Sequence, residues 1–375
     1  MDIEVLAFFK KLIMHYIKKL KLFSLFFLLS AYSFAQTDNY QPPKLSAQNS
    51  WSMVLIPDVQ SYVKFERNHG VLELMTGWVS DQIESLNIQM VLGTGDLVEH
   101  NSWLTPDGER GDQAGLQQWK AVSRAFERLD GKVPYINATG NHDYGVLNID
   151  ERRKTNYDTF FPVDRNLLSQ RLLKEAGTDA DQQPSLVNAA YEFLSPTEEL
   201  FLFVVLEFAP REETIEWAKK VVEDEKYANH RVVVLTHSYL NSENAHIAQE
   251  NYPIENRNYG KAIFDKLVKP SKNIEMVFSG HIGKPDDFEK HVGYRTDKNA
   301  AGRTVHQITF NAQALGGGWF GNGGDGWLRW FEFMPDKRTV KVKTFSPLFA
   351  ISPTTRQYAW HREDYNEFEF KLDPK

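Results

Sequence analysis

The sequence predicts an α/β fold, organised as one domain of mixed sheets. Short apolar runs of strand length alternate with segments that carry apolar residues at helical spacing, and the runs tend to stop at Gly, Asp or Asn. The 375 residues are compatible with one large domain or two small ones. Apolar residues make up 42% of the chain and charged residues 25%, which is ordinary for a globular protein with a sizeable core.

The first half of the chain alternates predicted strands and helices. We predict buried strands at residues 53–56, 88–92 and 133–137, and helices at residues 69–86 and 115–129. This strand–helix–strand order predicts a βαβ start with crossover connections. Each of the three predicted strands is followed by a short polar loop.

The second half begins with residues 150–187, which are polar and which we interpret as an irregular insertion. Further strands are predicted at residues 190–193, 200–207, 231–235 and 274–278, with a helix at residues 214–223. Aromatic residues then alternate in a β pattern from residue 305 to 345, around a Gly- and Trp-rich loop at 316–327. That loop either faces a substrate or forms a tightly packed corner.

The N-terminus has the order of a secretory signal peptide. Basic residues precede an apolar run at residues 22–29, and small residues follow at 33–35. We therefore predict a signal peptide at residues 1–35, with Met14 as the candidate true start, and periplasmic or secreted localisation. The apolar run is short for a membrane span, so no stable membrane anchor is expected after cleavage. An uncleaved N-terminal anchor is the alternative.

Composition restricts both partners and ligands. The net charge of −7, with no basic block beyond the N-terminus, argues against polymeric nucleic acid as a partner. The chain contains no Cys, so a metal ion must be held by carboxylate, amide, imidazole or water. The sequence does not predict an oligomeric state.

Five short motifs follow predicted strands and offer metal ligands. They are Asp58-Val59-Gln60, Gly95-Asp96, Gly140-Asn141-His142-Asp143, Thr236-His237 and Gly280-His281-Ile282-Gly283. In α/β sheets, ligands gather beyond the carboxyl ends of the strands, where all five motifs lie. Oxygen and imidazole ligands suit Mn, Fe or Zn. Such cations lower the pKa of a water and neutralise phosphoryl oxygens, as the hydrolysis of a phosphate ester requires.

The motifs resemble, in the same order, D-x-H, G-D, G-N-H-D/E, a later H and G-H-x-H of the calcineurin-like metallophosphoesterases. The resemblance extends over residues 51–283, and residues 293–347 look like the C-terminal part of secreted bacterial members. It implies a four-layer αββα sandwich of two mixed sheets, with a metal site at the strand C-terminal ends. The implied domain covers residues 51–347, between a linker at 36–50 and a C-terminal extension at 348–375 packed on the domain.

The resemblance implies hydrolysis of a phosphate mono- or diester by a metal-activated hydroxide, with a small phosphorylated substrate. Asp96 would bridge two divalent ions. Asn141, His237 and His281 would complete the site of one ion, and Asp58 would hold the other.

Two positions depart from the family motifs. Gln60 stands where the family has His, and Gly283 stands where the second His of G-H-x-H belongs. Both positions serve the same ion, so that site is depleted of His. It retains Asp58, the shared Asp96 and the amide oxygen of Gln60 as candidate ligands, and such a set would favour Mn, Mg or Ca. Glu99 or His100 is a possible auxiliary ligand, because Glu99 follows the G-D aspartate at the offset where the related purple acid phosphatases place a metal-binding Tyr.

Three more residues receive predicted roles. His142, oriented by Asp143, would lie near the leaving group as a proton donor or phosphate contact. Arg295 follows the last motif and would clamp a phosphate oxygen, or alternatively form a salt bridge within the β region. The alternative function is a catalytically impaired, metal-stabilised module that binds a glycan or phosphate, and the retained His142 and Asp143 argue against it.

Overall fold

The structure is a computed structural model. It describes residues 2, 4–5, 8, 10–21 and 40–375. The apolar run and the small residues of the predicted signal peptide, at 22–29 and 33–35, lie outside the described residues. Residues 10–21 are helical. In the parts of the chain that the structure describes, no helix is both long enough and apolar enough to cross a membrane.

The chain divides into two compact units, Met1–Gln41 and Pro42–Lys375. The second unit contains 14 described strands. In chain order these are β1 (Trp51–Ile56), β2 (Ile88–Gly93), β3 (Tyr135–Asn137), β4 (Leu173–Thr178), β5 (Pro184–Leu194), β6 (Leu200–Val205), β7 (Arg231–Leu235), β8 (Ile274–Ser279), β9 (Val292–Lys298), β10 (Thr304–Phe310), β11 (Leu328–Phe333), β12 (Thr339–Phe345), β13 (Trp360–His361) and β14 (Phe368–Lys371).

The strands form two mixed seven-stranded sheets. The first sheet has the order β13-β12-β11-β1-β2-β3, with β14 also paired to β12, and the second has the order β4-β5-β6-β7-β8-β10-β9. Strands β1, β2 and β3 are parallel to one another, as are β6, β7 and β8. Parallel pairing brings the carboxyl ends of neighbouring strands to one edge of each sheet, where the predicted motifs begin.

The apolar core lies between the two sheets. Trp51 of the first sheet is fully buried and stacks on Phe333, with ring centroids 4.2 Å apart. The same indole meets Phe201 of the second sheet edge to face, at 5.6 Å. These contacts join the inner faces of the two sheets in one apolar cluster.

Helices cover the outer faces. Within residues 42–375 the α-helices span Gln60–Val63, His69–Gln82, Gly115–Phe126, Tyr157–Phe160, Leu167–Leu172, Glu212–Glu223, Gly260–Ile263 and Pro347–Ala350. Trp78, on the helix after β1, lies 5.0 Å from the ring of Phe345 in the first sheet. Ile215, on the helix after β6, packs in a cluster with Val232 of the second sheet. The predicted α/β sandwich of two mixed sheets is confirmed.

The expectation of an irregular insertion at residues 150–187 is wrong. This segment contains two short helices, the whole of β4 and the start of β5, and β4 pairs antiparallel with β5 at the edge of the second sheet. An edge strand is covered on few sides, so most residues of β4 are only partly buried. The sequence therefore lacks the apolar run that identified the central strands.

The segments predicted to flank the domain on either side make specific contacts with the first sheet or form part of it. Within the predicted linker, Ser46 and Ser50 donate hydrogen bonds to the Glu332 carboxylate on β11. Residues 348–375 include β13 and β14, which pair with β12 and so extend the first sheet itself. The predicted extension thus supplies strands of the sheet, which the short runs in its sequence did not indicate.

Candidate metal centre

Three predicted ligands converge at the strand ends of both sheets. Asp96 follows β2 of the first sheet, and His237 and His281 follow β7 and β8 of the second. One ligand atom from each residue lies within 4.8 Å of the other two. Nε2 of His237 is 3.3 Å from Oδ2 of Asp96 and 3.1 Å from Nδ1 of His281.

The far ring nitrogen of each histidine is held by an acceptor. Nδ1 of His237 lies 2.8 Å from the Thr94 carbonyl oxygen, and Nε2 of His281 lies 2.5 Å from Oε1 of Glu250. Neither acceptor can donate a proton when Glu250 is ionised, so both ring nitrogens donate. The opposite nitrogens then present their lone pairs beside Asp96 when the rings are neutral. This is how metal-binding histidines are oriented in proteins.

A fourth ligand is available from the amide of Asn141. Its Nδ2 donates to Oδ1 of Asn148 at 3.2 Å, while its own Oδ1 is buried without a hydrogen-bond partner. A buried polar atom left unpaired costs about 1–3 kcal/mol. Since Asn141 lines the same pocket as Asp96 and His281, this oxygen fits a metal ion, and the residues present suit the divalent cation that the resemblance implies.

The predicted second-ion ligands, Asp58 and Gln60, make protein contacts. Oδ1 of Asp58 accepts from Thr94 Oγ1 at 2.8 Å, and Oδ2 accepts from the backbone N–H of His281 at 2.9 Å and from Asn311 Nδ2 at 2.7 Å. Burial raises the pKa of Asp58 to about 6, against the lowering effect of His237. Asp58 therefore positions the loop that carries His281.

Gln60 donates its amide N–H to Oδ2 of Asp96 at 2.8 Å, and its own Oε1 is buried without a partner. The side chain thus lies against the carboxylate shared by the two predicted ion sites. The ligand role of Gln60, like that of Asp58, stays a prediction.

Backbone geometry at the centre is unusual. Asp96 and His281 have φ angles of 51° and 77°, in the left-handed region that non-glycine residues seldom adopt and that is enriched at functional sites. Neighbouring glycines permit the close approach. A Cβ at Gly140 would lie 2.1 Å from Oδ1 of Asp96, and one at Gly280 would lie 2.1 Å from Oδ1 of Asp58. The loops that carry Asn141 and His281 therefore need glycine at these two positions.

The charges of the centre are strongly coupled. Burial favours a raised pKa for Asp96, but His237 and His142 outweigh it and hold the pKa of Asp96 below its ordinary value. Burial favours a lowered pKa for His237, but Asp96 and Asp58 raise that pKa to about 10. Metal binding at these residues is therefore expected to release a proton.

His142 is placed to carry a proton. Its backbone N–H donates to Oδ1 of Asp96 at 2.9 Å, and its Nδ1 lies 2.9 Å from the Glu99 carbonyl oxygen. Because a carbonyl only accepts, Nδ1 donates and Nε2 is left for the pocket that His142 lines. Burial opposes protonation, but the carboxylates of Asp96 and Glu99 outweigh it and raise the pKa of His142.

The prediction that Asp143 orients His142 is wrong. The Asp143 carboxylate accepts backbone N–H groups of Gly140 at 2.8 Å and Val98 at 3.0 Å, and burial raises the pKa of Asp143 to about 8. Asn141–Asp143 is a turn of 3₁₀-helix, in which successive side chains point about 120° apart. Asp143 therefore joins the loops after β2 and β3, and the Glu99 carbonyl holds the His142 ring.

Arg295 does not join the site. It lies on the edge strand β9, where its Nε is 2.6 Å from Oδ2 of Asp297. Strand β9 runs antiparallel to β10, and Arg295 is paired with Gln307, within the sheet, so it lies away from the strand ends that carry the ligands. The salt bridge anticipated as the alternative is what the structure shows, and the phosphate-clamp prediction is wrong.

The auxiliary candidates Glu99 and His100 line the pocket but stand outside the three-residue group. The Glu99 carboxylate forms a salt bridge of 3.3 Å with Lys64. Nδ1 of His100 is 3.2 Å from the Leu147 carbonyl oxygen, and its buried Nε2 has no hydrogen-bond partner. Their auxiliary metal role stays a prediction.

Sequence reasoning missed two residues of the site. Glu250, which binds His281, also accepts from Ser238 Oγ at 2.6 Å and lies in an irregular segment that no motif marks. Lys64 lies four residues after Gln60, and both line the pocket. The segment begins with a short helix, in which residues four apart lie on the same face, and this spacing is the signal that could have identified Lys64.

Comparison with known proteins agrees with this geometry. A family model described as calcineurin-like phosphoesterase matches residues 54–285. The uncharacterized protein YvnB of Bacillus subtilis (strain 168) is 27% identical over 334 residues, a match that covers 88% of this chain and 22% of that protein. The chain thus spans about a fifth of the length of this curated relative.

Among solved structures, one titled "GAP50 the anchor in the inner membrane complex of Plasmodium" has a TM-score of 0.44 at 11% identity. That alignment covers 88% of this chain and 90% of the other. The family model, by contrast, covers more than half of the 375 residues and includes all five ligand-bearing motifs. The chain belongs to the calcineurin-like phosphoesterase family.

Proposed function

We propose that this protein is a metal-dependent hydrolase of phosphate esters. The observation that carries the proposal is the convergence of Asp96, His237 and His281 within 4.8 Å, beside a histidine that can protonate a leaving group. Family membership supports phosphoester hydrolysis as the general reaction.

Each side chain has a defined task in this reaction. Asp96, Asn141, His237 and His281 would hold a divalent cation such as Mn, Fe or Zn. When bound, such an ion lowers the pKa of a water and neutralises charge on the phosphoryl oxygens. His142 holds a proton at Nε2, which it donates to the leaving oxygen as the ester bond breaks.

We infer one tightly bound ion, although the resemblance implies two. Asp58 already accepts three hydrogen bonds, and the Gln60 amide donates to Asp96. Where the family has its second His, Gly283 contributes no side chain, and a Cβ there would lie 2.8 Å from Nε2 of the buried His291. At the position of the second ion, Asp58 is thus occupied and Gly283 offers no ligand atom, while Gln60 keeps one unpaired atom, its Oε1.

Elemental analysis and a hydrolysis assay test the proposal together. Purified protein is loaded with Mn, and metal content is measured beside hydrolysis of p-nitrophenyl phosphate and bis-p-nitrophenyl phosphate. We expect about one equivalent of Mn and metal-dependent hydrolysis, both lost in Asp96→Asn. Retained metal without hydrolysis of either ester would contradict the enzyme proposal, and two tightly bound equivalents would contradict the single ion.

We also propose that the protein is exported and processed. The order of basic, apolar and small residues before Gln36 supports this. N-terminal sequencing of protein from the periplasm or medium of a bacterial expression host should find a chain that begins at or near Gln36. An unprocessed chain in the cytoplasm would reject the export proposal.

A further inference from the structure

Two clefts meet at the metal centre. The first has a volume of about 410 Å³ and is lined by Asp96, His142 and His281. The second has a volume of about 980 Å³ and runs from His281 along residues 241–250. Both are bordered by His281 and Trp319. A phosphorus atom bound at the centre would thus have space for a substituent on each side.

The position of His142 distinguishes the two clefts. It lines the first cleft and is absent from the lining of the second. Since a proton donor must lie within reach of the leaving oxygen, the leaving group belongs in the first cleft. The second cleft, past His281 and Trp319, is then available to the ester group that stays on phosphorus.

The charge of the lining favours a substrate with a single negative charge. Every Lys and Arg that lines the two clefts is paired with a carboxylate. The pairs are Lys64–Glu99 at 3.3 Å, Arg110–Asp107 at 2.8 Å, Lys284–Asp287 at 3.0 Å and Lys290–Glu243 at 3.2 Å. A phosphate monoester carries close to two charges at neutral pH, because its second pKa is about 6. A diester carries one, which the metal centre itself can balance.

Trp319 lies where the two clefts meet, on a loop that is held by hydrogen bonds to the rest of the protein. The indole is 36% exposed, and a Cβ at Gly283 would lie 3.4 Å from its Cη2 atom. The backbone N–H of Gly317 donates to Oδ1 of Asp286 at 2.9 Å, and Arg67 donates to the Phe320 carbonyl at 2.8 Å. An exposed aromatic ring on a fixed loop offers a stacking surface at low entropic cost.

We infer that the preferred substrate is a phosphodiester whose retained ester group is an uncharged ring that stacks on Trp319 in the second cleft. This inference rests on the proposed hydrolase function. Water forms the new P–O bond and the P–O bond to the leaving alcohol breaks. His142 gives the leaving oxygen its proton, and a proton of the attacking water restores His142. One diester and one water thus yield one monoester, which keeps the ring, and one alcohol.

Two diesters that share a leaving group test the inference. Methyl p-nitrophenyl phosphate and phenyl p-nitrophenyl phosphate differ only in the group that would enter the second cleft, and p-nitrophenyl phosphate serves as the monoester. We expect kcat/KM of the phenyl diester to exceed that of the monoester. We expect Trp319→Ala to lower the ratio of kcat/KM for the phenyl over the methyl diester about tenfold, since aromatic stacking contributes on this scale.

Phe320→Ala is the matched control, because Phe320 is exposed on the same loop but lines the first cleft without the second. It should leave the phenyl-to-methyl ratio unchanged. An unchanged ratio in Trp319→Ala, or a higher kcat/KM for the monoester, overturns the inference while the hydrolase proposal stands. Absence of hydrolysis of all three esters in the Mn-loaded protein would instead reject the hydrolase proposal.

Discussion

At the scale of single residues, the centre depends on side chains that bind no ion themselves. Glu250 is the clearest example, because its carboxylate accepts hydrogen bonds from both the His281 ring N–H and the Ser238 hydroxyl. Its pKa is lowered, since the hydrogen bond from His281 outweighs the effect of burial. The negative charge of Glu250 therefore makes His281 a stronger ligand.

Replacing Glu250 by Gln removes this charge and keeps the shape of the side chain. We expect the Kd for Mn, measured by calorimetry, to rise about 10-fold to 100-fold, as for other partners of metal-binding histidines. Glu243→Gln, in the same cleft but paired with Lys290, is the control and should leave the Kd unchanged. Equal affinities of the Glu250→Gln and parent proteins would show that His281 is oriented without this carboxylate.

His142 is expected to act on the reaction and not on the metal. Since the Glu99 carbonyl holds Nδ1, the proton for the leaving oxygen comes from Nε2. We expect His142→Asn to lower kcat about 10²-fold to 10⁴-fold for an alkyl leaving group, with unchanged metal content. The loss should be much smaller for p-nitrophenolate, which leaves without a proton. A loss that is independent of the leaving group would contradict the proton-donor role.

At the scale of elements, central strands were predictable and edge elements were not. The strands before Asp58, Asp96 and His281 are buried apart from Gln89, and each contains an apolar run that stops at or just before the ligand loop. Strand β4 is an edge strand with half-exposed residues, and its sequence carries no such run. The same distinction applies to β13 and β14, which have two and four residues and carry no apolar run that predicts a strand.

The segment before β1 is held to the first sheet by one buried carboxylate. Glu332 accepts hydrogen bonds from Ser46 Oγ and Ser50 Oγ, both at 2.7 Å, and from Lys343 at 2.9 Å. Burial favours a raised pKa for Glu332, but these donors outweigh it and lower the pKa. The Glu332 carboxyl therefore has a lower pKa in the folded chain than in the unfolded chain. Its stabilisation of the fold is present above the pKa of the unfolded chain and is lost as pH falls through the pKa of the folded chain.

We therefore expect Glu332→Gln to lower the free energy of unfolding by about 1–3 kcal/mol at neutral pH, because its buried donors lose a charged acceptor. Urea unfolding should show this gap between the two proteins narrowing as pH falls below about 4.5. Glu73→Gln, which breaks exposed salt bridges with Arg124 and Arg128, is the control and should cost less than about 1 kcal/mol. A difference in the free energy of unfolding that stays constant with pH would contradict a stabilising role for the charge of Glu332.

At the scale of the whole molecule, the residues of the site could be predicted from the sequence, but the contacts that hold those residues in place could not. The five motifs were recognisable because each follows a buried strand, and parallel pairing brings strand ends together. The contacts of Asp143 and Glu250 were not recognisable, since they depend on side-chain direction in a 3₁₀ turn and on the course of an irregular segment. Local pattern thus indicates which residues are candidate ligands, while tertiary packing decides what holds them.

The ligand set also joins the two sheets. Asp96 and Asn141 extend from strands of the first sheet, and His237 and His281 extend from strands of the second. An ion bound by all four would therefore cross-link the sandwich at one edge, in addition to its proposed role in hydrolysis. Because it binds the folded state alone, it should stabilise that state by about 2.7 kcal/mol at a free concentration of 100 times its Kd.

We expect saturating Mn to raise the Tm of the protein by several degrees, in calorimetry at fixed protein concentration, and EDTA to reverse the shift. Asp96→Asn should lose the Mn-dependent shift, because it removes the ligand that the first sheet contributes from β2. Asp297→Asn, which breaks the salt bridge with Arg295 outside the site, should keep it. If Mn shifted the Tm of Asp96→Asn as much as that of the parent, the ion would be bound elsewhere, and the centre would not link the two sheets.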